Sequence, residues 1–225
     1  MNLDRKLMAY AAGAGAAAAG LAGAQSADAA VVANTTGIPF AVGSTTDIDF
    51  NGDGTADFKI GHERQTAGDT NTDRLLLKEN ASHNDGYVVD FGNNPFPSAL
   101  TAGTTIGPDS TYNAQFNNNV ANQLADDDKN DDGIPDDPRV TNFPVDNVVG
   151  NTRYAGVRFR IDPAGPDLYG WIGIDITNAD DLTGTITGFG FEDTGEAIQA
   201  GQVPEPAGLG LLALGAVGLL RRKRA

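Results

Sequence analysis

The chain contains no cysteine, a single tryptophan and only two histidines. Without thiols no disulfide can tie its loops, and neither a tetrahedral zinc site nor an iron–sulfur cluster can form, since His62 and His83 are the only nitrogen ligands on offer. Positive charge is scarce too: 15 Lys and Arg stand against 30 Asp and Glu in 225 residues, a net charge of −15. Between residues 30 and 203 the imbalance deepens, with 27 acidic side chains against nine basic ones, a net of −18. Such a field repels phosphate backbones and anionic membrane surfaces, which argues against a nucleic-acid partner, and it attracts multivalent cations. Also missing are Gly-x-Ser-x-Gly, His-Glu-x-x-His and Gly-x-x-x-x-Gly-Lys, the arrangements that expose a nucleophile, hold a catalytic zinc or cradle a phosphate. His62 ends a strand beside Glu63 and Arg64, and His83 lies in a polar turn; both read as surface histidines. No catalytic residue is assigned, and the chain is not expected to be an enzyme. Acids are so abundant that a carboxylate pair for glycoside hydrolysis carries no signal by itself.

What the sequence does contain is organised from its two ends. Arg5 and Lys6 precede an Ala/Gly-rich apolar run, Leu7 to Leu21, which is followed by small-residue sites at Ala22-Gly23-Ala24 and Ala27-Asp28-Ala29. That order predicts a helical signal peptide over residues 1–29, with an uncleaved anchor as the alternative. At the other end Val203, Pro204, Glu205 and Pro206 lead into Ala207 to Leu220, built only of Ala, Gly, Leu and Val, and then into Arg221, Arg222, Lys223 and Arg224. Fourteen apolar residues fall short of the ~20 needed for a comfortable helical span, but the terminal cations can snorkel to headgroups and set the carboxyl end on the cytoplasmic side. A short transmembrane helix is therefore expected there. These three parts, in this order at the terminus, resemble the PEP-CTERM sorting tail of exported bacterial proteins. The resemblance covers residues 203–225 and implies an exosortase-like membrane protease as partner, transient residence in the inner membrane, and delivery to the envelope surface or extracellular matrix once the signal peptide and the tail are removed. The domain expected between them is 30–202.

Within that domain, two acidic stretches share one spacing. Asp49, Asn51, Asp53 and Asp57 fall at positions 1, 3, 5 and 9 of a calcium loop, with Gly54 at the sharp turn of position 6 and the Thr55 carbonyl at position 7. Asp128, Asn130, Asp132 and Asp136 repeat the pattern, with Gly133 at position 6 and the Ile134 carbonyl at position 7. Hard calcium takes six to eight oxygens, and this spacing folds them around one point. At position 12, where an EF-hand places a bidentate Glu, stand Ile60 and Arg139, and the flanks of the first loop alternate as strands do. The second loop resembles the DxDxDGIPD calcium repeats of thrombospondin type 3 and bacterial surface proteins. Calcium is the expected cofactor; a metal-free acidic hairpin turn and a solvated acidic linker are the competing readings.

The remainder is written in period two. Ala155, Val157, Phe159 and Ile161 alternate with Arg158 and Arg160, Ile172, Ile174 and Ile176 stand opposite Trp171, and Phe189 pairs with Phe191, giving three strands with short connections. Tyr112, Phe116, Val120 and Leu124 recur every four residues after Asp109 and Ser110, which predicts one short helix. The fold class expected is mostly β, an antiparallel β-sandwich of jelly-roll-like type. Its role is expected to be structural or adhesive, calcium-stabilised, at the cell surface or in the matrix. A carbohydrate-binding domain that takes exopolysaccharide through Trp171, Tyr87 or Tyr154 is the alternative, and a glycan-active hydrolase a third reading; core packing is the simpler role for Trp171.

Overall fold

The computed structural model describes residues 30–65, 72–79, 85–89, 96–113, 123–127, 143, 150–178 and 181–204. The chain divides into two units, Met1–Ala30 and Val31–Ala225, and the strands all belong to the second. Among the described residues there is no helix and 55 % lie in strands, as the period-two patterning requires.

The large sheet is built on three long antiparallel strands, β10 (Arg153–Phe159), β11 (Leu168–Asn178) and β12 (Thr183–Glu192). They are the meander expected from the alternating sequence. β1 (Val31–Asn34) and β2 (Ile38–Phe40) share the far edge of β12, while β6 (Gly86–Val88) and β8 (Tyr112–Asn113) extend the sheet beyond β10. A second sheet, in the order β3-β4-β5-β9, joins β3 (Thr45–Ile48), β4 (Phe58–Gln65), β5 (Thr72–Glu79) and β9 (Gln123–Asp127), again antiparallel. β7 (Thr105–Ile106) and β13 (Ile198–Gln199) form a small ribbon.

The sandwich core is the sum of two inward faces. Ile48, Phe58, Ile60, Leu75, Leu77 and Leu124 from the smaller sheet meet Val157, Phe159, Ile172, Ile174, Ile186 and Phe191 from the larger. The opposite face of the large sheet is covered as well: Tyr169 and Trp171 pack with Val88, Ile106, Ile198 and Ala200. β11 is thus buried on both faces, which explains why every residue from Leu168 to Ile176 is buried.

Four details depart from the sequence reading. The four-residue spacing that predicted a helix yields none among the described residues; Tyr112 lies in β8 and Leu124 in β9, while residues 114–122 fall outside them. Apolar residues four apart share a strand face as well as a helix face, so the spacing alone did not decide. β10 ends at Phe159, and Ile161 is 43 % exposed in the turn beyond it, because Pro163 and Pro166 follow and end the ladder. Ile186 and Phe189 both reach the sandwich core despite an odd separation, because the register slips opposite Gly173 and Ile174. His62 is buried, 4 % exposed, where a surface residue was expected. It continues the inward alternation of Phe58 and Ile60, its Nδ1 accepts from Gly43 N–H at 3.1 Å, and its Nε2–H donates to the Asp181 carbonyl at 2.8 Å.

At the centre of the core stands Phe50, stacked on Phe159 with centroids 4.8 Å apart and edge-on to Phe58, Phe189 and Phe191. Phe50→Ala is expected to cost about 3–5 kcal/mol of stability, as for large-to-small changes at buried aromatic sites. Denaturant unfolding reads this as a lowered midpoint at unchanged slope; an unmoved midpoint would remove Phe50 from the core.

Candidate functional site

The first acidic loop connects β3 to β4 and is held by its own side chains. Asp49 accepts from Gly52 N–H through Oδ1 at 2.7 Å and from Gly54 N–H through Oδ2 at 2.8 Å. Asn51 Oδ1 accepts from Asp53 N–H and its Nδ2 donates to Asp53 Oδ2, each at 3.0 Å, while Asp53 Oδ1 accepts from Thr55 N–H at 2.7 Å. Asp57 Oδ2 closes the loop on Phe50 N–H at 2.8 Å, leaving Oδ1 for other use. Gly52 and Gly54 take φ of 74° and 88°, the left-handed region that a side chain strains, which accounts for glycine at both positions.

This arrangement brings the first set of expected ligands onto one short turn. Asn51, Asp53, Thr55 and Asp57 line a cleft at the rim of the sandwich, together with Phe159, Arg160 and Ile161 from the end of β10. Among the described residues, no group of three acidic or imidazole side chains is placed to hold a metal ion as it stands, since the loop carboxylates are turned onto backbone N–H groups. The second expected set, Asp128, Asn130, Asp132, Ile134 and Asp136, lies outside the described residues, although β9 leads directly into it.

One further acid lines the cleft that the spacing did not point to. Asp85 precedes β6, whose Gly86 pairs with Arg158 of β10, so it enters from the large sheet against Phe159. It is 4 % exposed. Burial first, and then the charges of Glu79 and Asp57, push its carboxyl up to about 7, with Arg158 opposing weakly. Asp57 and Glu79 are raised as well, each chiefly by burial. Nothing in the sequence around Asp85 marks it: only the pairing of β6 with β10 carries it to the loop.

The three aromatics that the carbohydrate alternative relied on offer no exposed platform. Trp171 is 3 % exposed, Tyr87 is fully buried, and half-buried Tyr154 stands edge-on to Trp171 at 5.6 Å. Trp171 serves instead to hold the end of the domain. Its Nε1–H donates to the Gln202 carbonyl at 3.1 Å, Gln202 Oε1 accepts from Gln199 N–H at 3.0 Å, and β13 pairs with β7 just before. Beyond that point Val203 and Pro204 are exposed; Glu205, Pro206, the apolar run and Arg221, Arg222, Lys223 and Arg224 lie outside the described residues. Among the described residues no helix is long and apolar enough to cross a membrane.

The comparisons with known proteins bear on this last segment. Residues 202–224 match the family described as the PEP-CTERM protein-sorting motif. Such a motif implies export and sorting by an exosortase-like system, a membrane protein acting at the cell envelope. No curated protein and no solved structure was found to match the chain.

The raised carboxyls fix a pH dependence. A carboxyl that titrates higher in the folded than in the unfolded chain takes up a proton on folding, so the stability it contributes is fullest in acid and declines as pH rises from 3.8 towards about 7. In chelator, the melting temperature of Asp85→Asn is therefore expected to fall less steeply over that window than that of the parent chain; parallel profiles would contradict the assignment.

Proposed function

We propose that the chain is the precursor of an exported structural or adhesive protein of the cell surface or extracellular matrix, non-catalytic and stabilised by calcium. Its signal peptide and its sorting tail direct it there, and the folded domain is what remains. The observation that carries the sorting half is the match at residues 202–224, which begins at the residue whose carbonyl Trp171 holds. Pro204 and Pro206 support it physically: neither has an N–H to give a neighbouring strand, which disfavours strand pairing of the motif and suits access by a protease.

Support for calcium comes from the ordered first loop. Its oxygens follow the calcium spacing around Gly54, and it is anchored at both ends, through Phe50 in the core and through Asp57 N–H to the Ile48 carbonyl at 2.8 Å. An ion that draws the loop carboxylates together also offsets the repulsion of a domain with a net charge of −18. Affinity of order 10⁻⁴ to 10⁻³ M suits an extracellular module of this kind, which then stays unloaded inside the cell and loads outside.

Each half has its own test. Replacing Pro204-Glu205-Pro206 by Ala-Ala-Ala in the native host is expected to leave the tail attached and the protein held in the membrane, read as intact mass; normal maturation of the variant would refute the sorting reading. Separately, calcium at ~10 mM is expected to raise the melting temperature of the full chain by roughly 5 °C over that in EDTA, the size expected when a ligand stands well above its dissociation constant. Identical midpoints would remove calcium from the proposal.

A further inference from the structure

An outer strand presents a row of unpaired N–H and C=O groups, and soluble proteins blunt it with charge, proline, shortness or a cover. Most edges of this domain are blunted. β9 ends in Asp126 and Asp127, β3 carries Asp47 in an ion pair with Lys59, β7, β8 and β13 are two residues long, and β2 contains Pro39, which has no N–H to offer. Among the described residues β1 is the exception. It is the outermost strand of the large sheet beside β12 and reads Val-Val-Ala-Asn. Residues 29–46 around it contain no charged side chain, although the domain carries a net charge of −18.

The ladder to β12 decides which backbone groups of β1 are left over. The carbonyls of Val32 and Asn34 point at β12: a Cβ at Gly190 would lie 3.0 Å from the Val32 oxygen, and one at Gly188 2.7 Å from the Asn34 oxygen. In an antiparallel ladder the N–H and C=O of one residue point to the same side, and the side alternates along the strand. Those of Val31 and Ala33 therefore point outward, where no described residue bonds them. Between the two, Val32 is 43 % exposed.

We propose that β1 is a self-association edge whose partner is β1 of a second copy of this chain, run antiparallel about a two-fold axis at Val32. In that register the edge is self-complementary. Val31 of each copy exchanges both backbone hydrogen bonds with Ala33 of the other, and the two Val32 side chains meet across the axis as a non-hydrogen-bonded pair with Cα atoms ~4.5 Å apart. A strand without charge gives a basic or acidic partner nothing to pair with, and it spares two acidic domains a like-charge contact at the junction itself. Being isologous, the contact closes as a dimer in which the two large sheets run on into each other. The inference goes beyond the proposed function and is independent of the calcium reading.

A chain without cysteine makes the register directly readable. In the full chain, Val32→Cys places two thiols within the Cα range of a disulfide. Asn34→Cys, exposed on the same strand and the same face, places them about 14 Å apart. Under mild oxidation Val32→Cys is expected to give a cross-linked dimer at least ten times faster than Asn34→Cys; equal rates, or no cross-link in either, overturn the proposal. Ala33→Pro removes an outward N–H and leaves the ladder to β12 intact. By sedimentation it is expected to dimerise at least tenfold more weakly than the parent, with an unchanged far-ultraviolet circular dichroism spectrum, and undiminished association of this folded variant would refute the edge pairing. Two domains of like charge repel at long range, so the parent is expected to associate more tightly at about 0.5 M than at about 0.05 M salt. Association that weakens with salt marks a contact between unlike charges and also overturns the proposal.

Discussion

Phe50 belongs at once to the acidic loop and to the core. Its neighbours Asp49 and Asn51 are calcium-type positions, while its ring meets four other phenylalanines drawn from both sheets. Each aromatic pair is worth about 0.5–1.5 kcal/mol beyond the area it buries. Two carboxylates 4 Å apart repel by about 1 kcal/mol in water and ~4 kcal/mol at the effective dielectric of a protein rim. The two magnitudes are comparable, so the core can hold an empty loop in place without making it indifferent to a cation. Asp57 shows the coupling most directly: the carboxylate that holds Phe50 N–H also faces the cleft, so whatever binds there acts on the backbone of the residue that anchors the core.

The C-terminal end of the domain is arranged on a different principle. Trp171 and Tyr169, on the outer face of β11, are covered by Ile198 and Ala200, and the backbone is bonded in as far as Gln202. From there to Ala207 is five residues, at most ~18 Å of extended chain. Under the proposed sorting route, a tail inserted from Ala207 onward would keep the folded domain close to the membrane until it is cut. Folding of the last strand and presentation of the motif are two consequences of one short connection.

How much of this could be read from residues alone depends on the range of the interactions. The β10–β11–β12 meander was legible because alternation is local: Ala155, Val157 and Phe159, like Ile172, Ile174 and Ile176, point inward as their spacing says. The same rule, carried one step further, would have placed His62 inward after Phe58 and Ile60; its chemistry suggested the surface, and two backbone partners, Gly43 N–H and the Asp181 carbonyl, satisfy it inside. The helix expected from Tyr112 to Leu124 is not found at its two described ends, which lie in β8 and β9, because a four-residue recurrence suits a strand face equally well. Trp171 was legible as a core residue, but its partner Gln202, 31 residues on, was not. Asp85 was invisible for the same reason, being one acid among many until β6 pairs with β10 and sets it against Phe159.

Buried acids elsewhere in this domain show what the rim cleft lacks. Glu192 is 1 % exposed and answered within its own turn, by Thr194 N–H at 3.0 Å, Thr194 Oγ1–H at 2.7 Å and Glu196 N–H at 2.6 Å. Asp175, 7 % exposed, accepts from Gly150 N–H through Oδ2 at 2.8 Å, while its buried Oδ1 has no hydrogen-bond partner. A chain without disulfides and with a heavy excess of acids can bury carboxylates at modest cost when the backbone supplies the donors. At the cleft Asp85 instead lies among charges: Glu79 and Asp57 push its carboxyl up, and Arg158 opposes them. The rim of the sandwich is thus where a buried carboxyl is answered by charge rather than by backbone donors, which is why its ionisation bears on the stability of the fold.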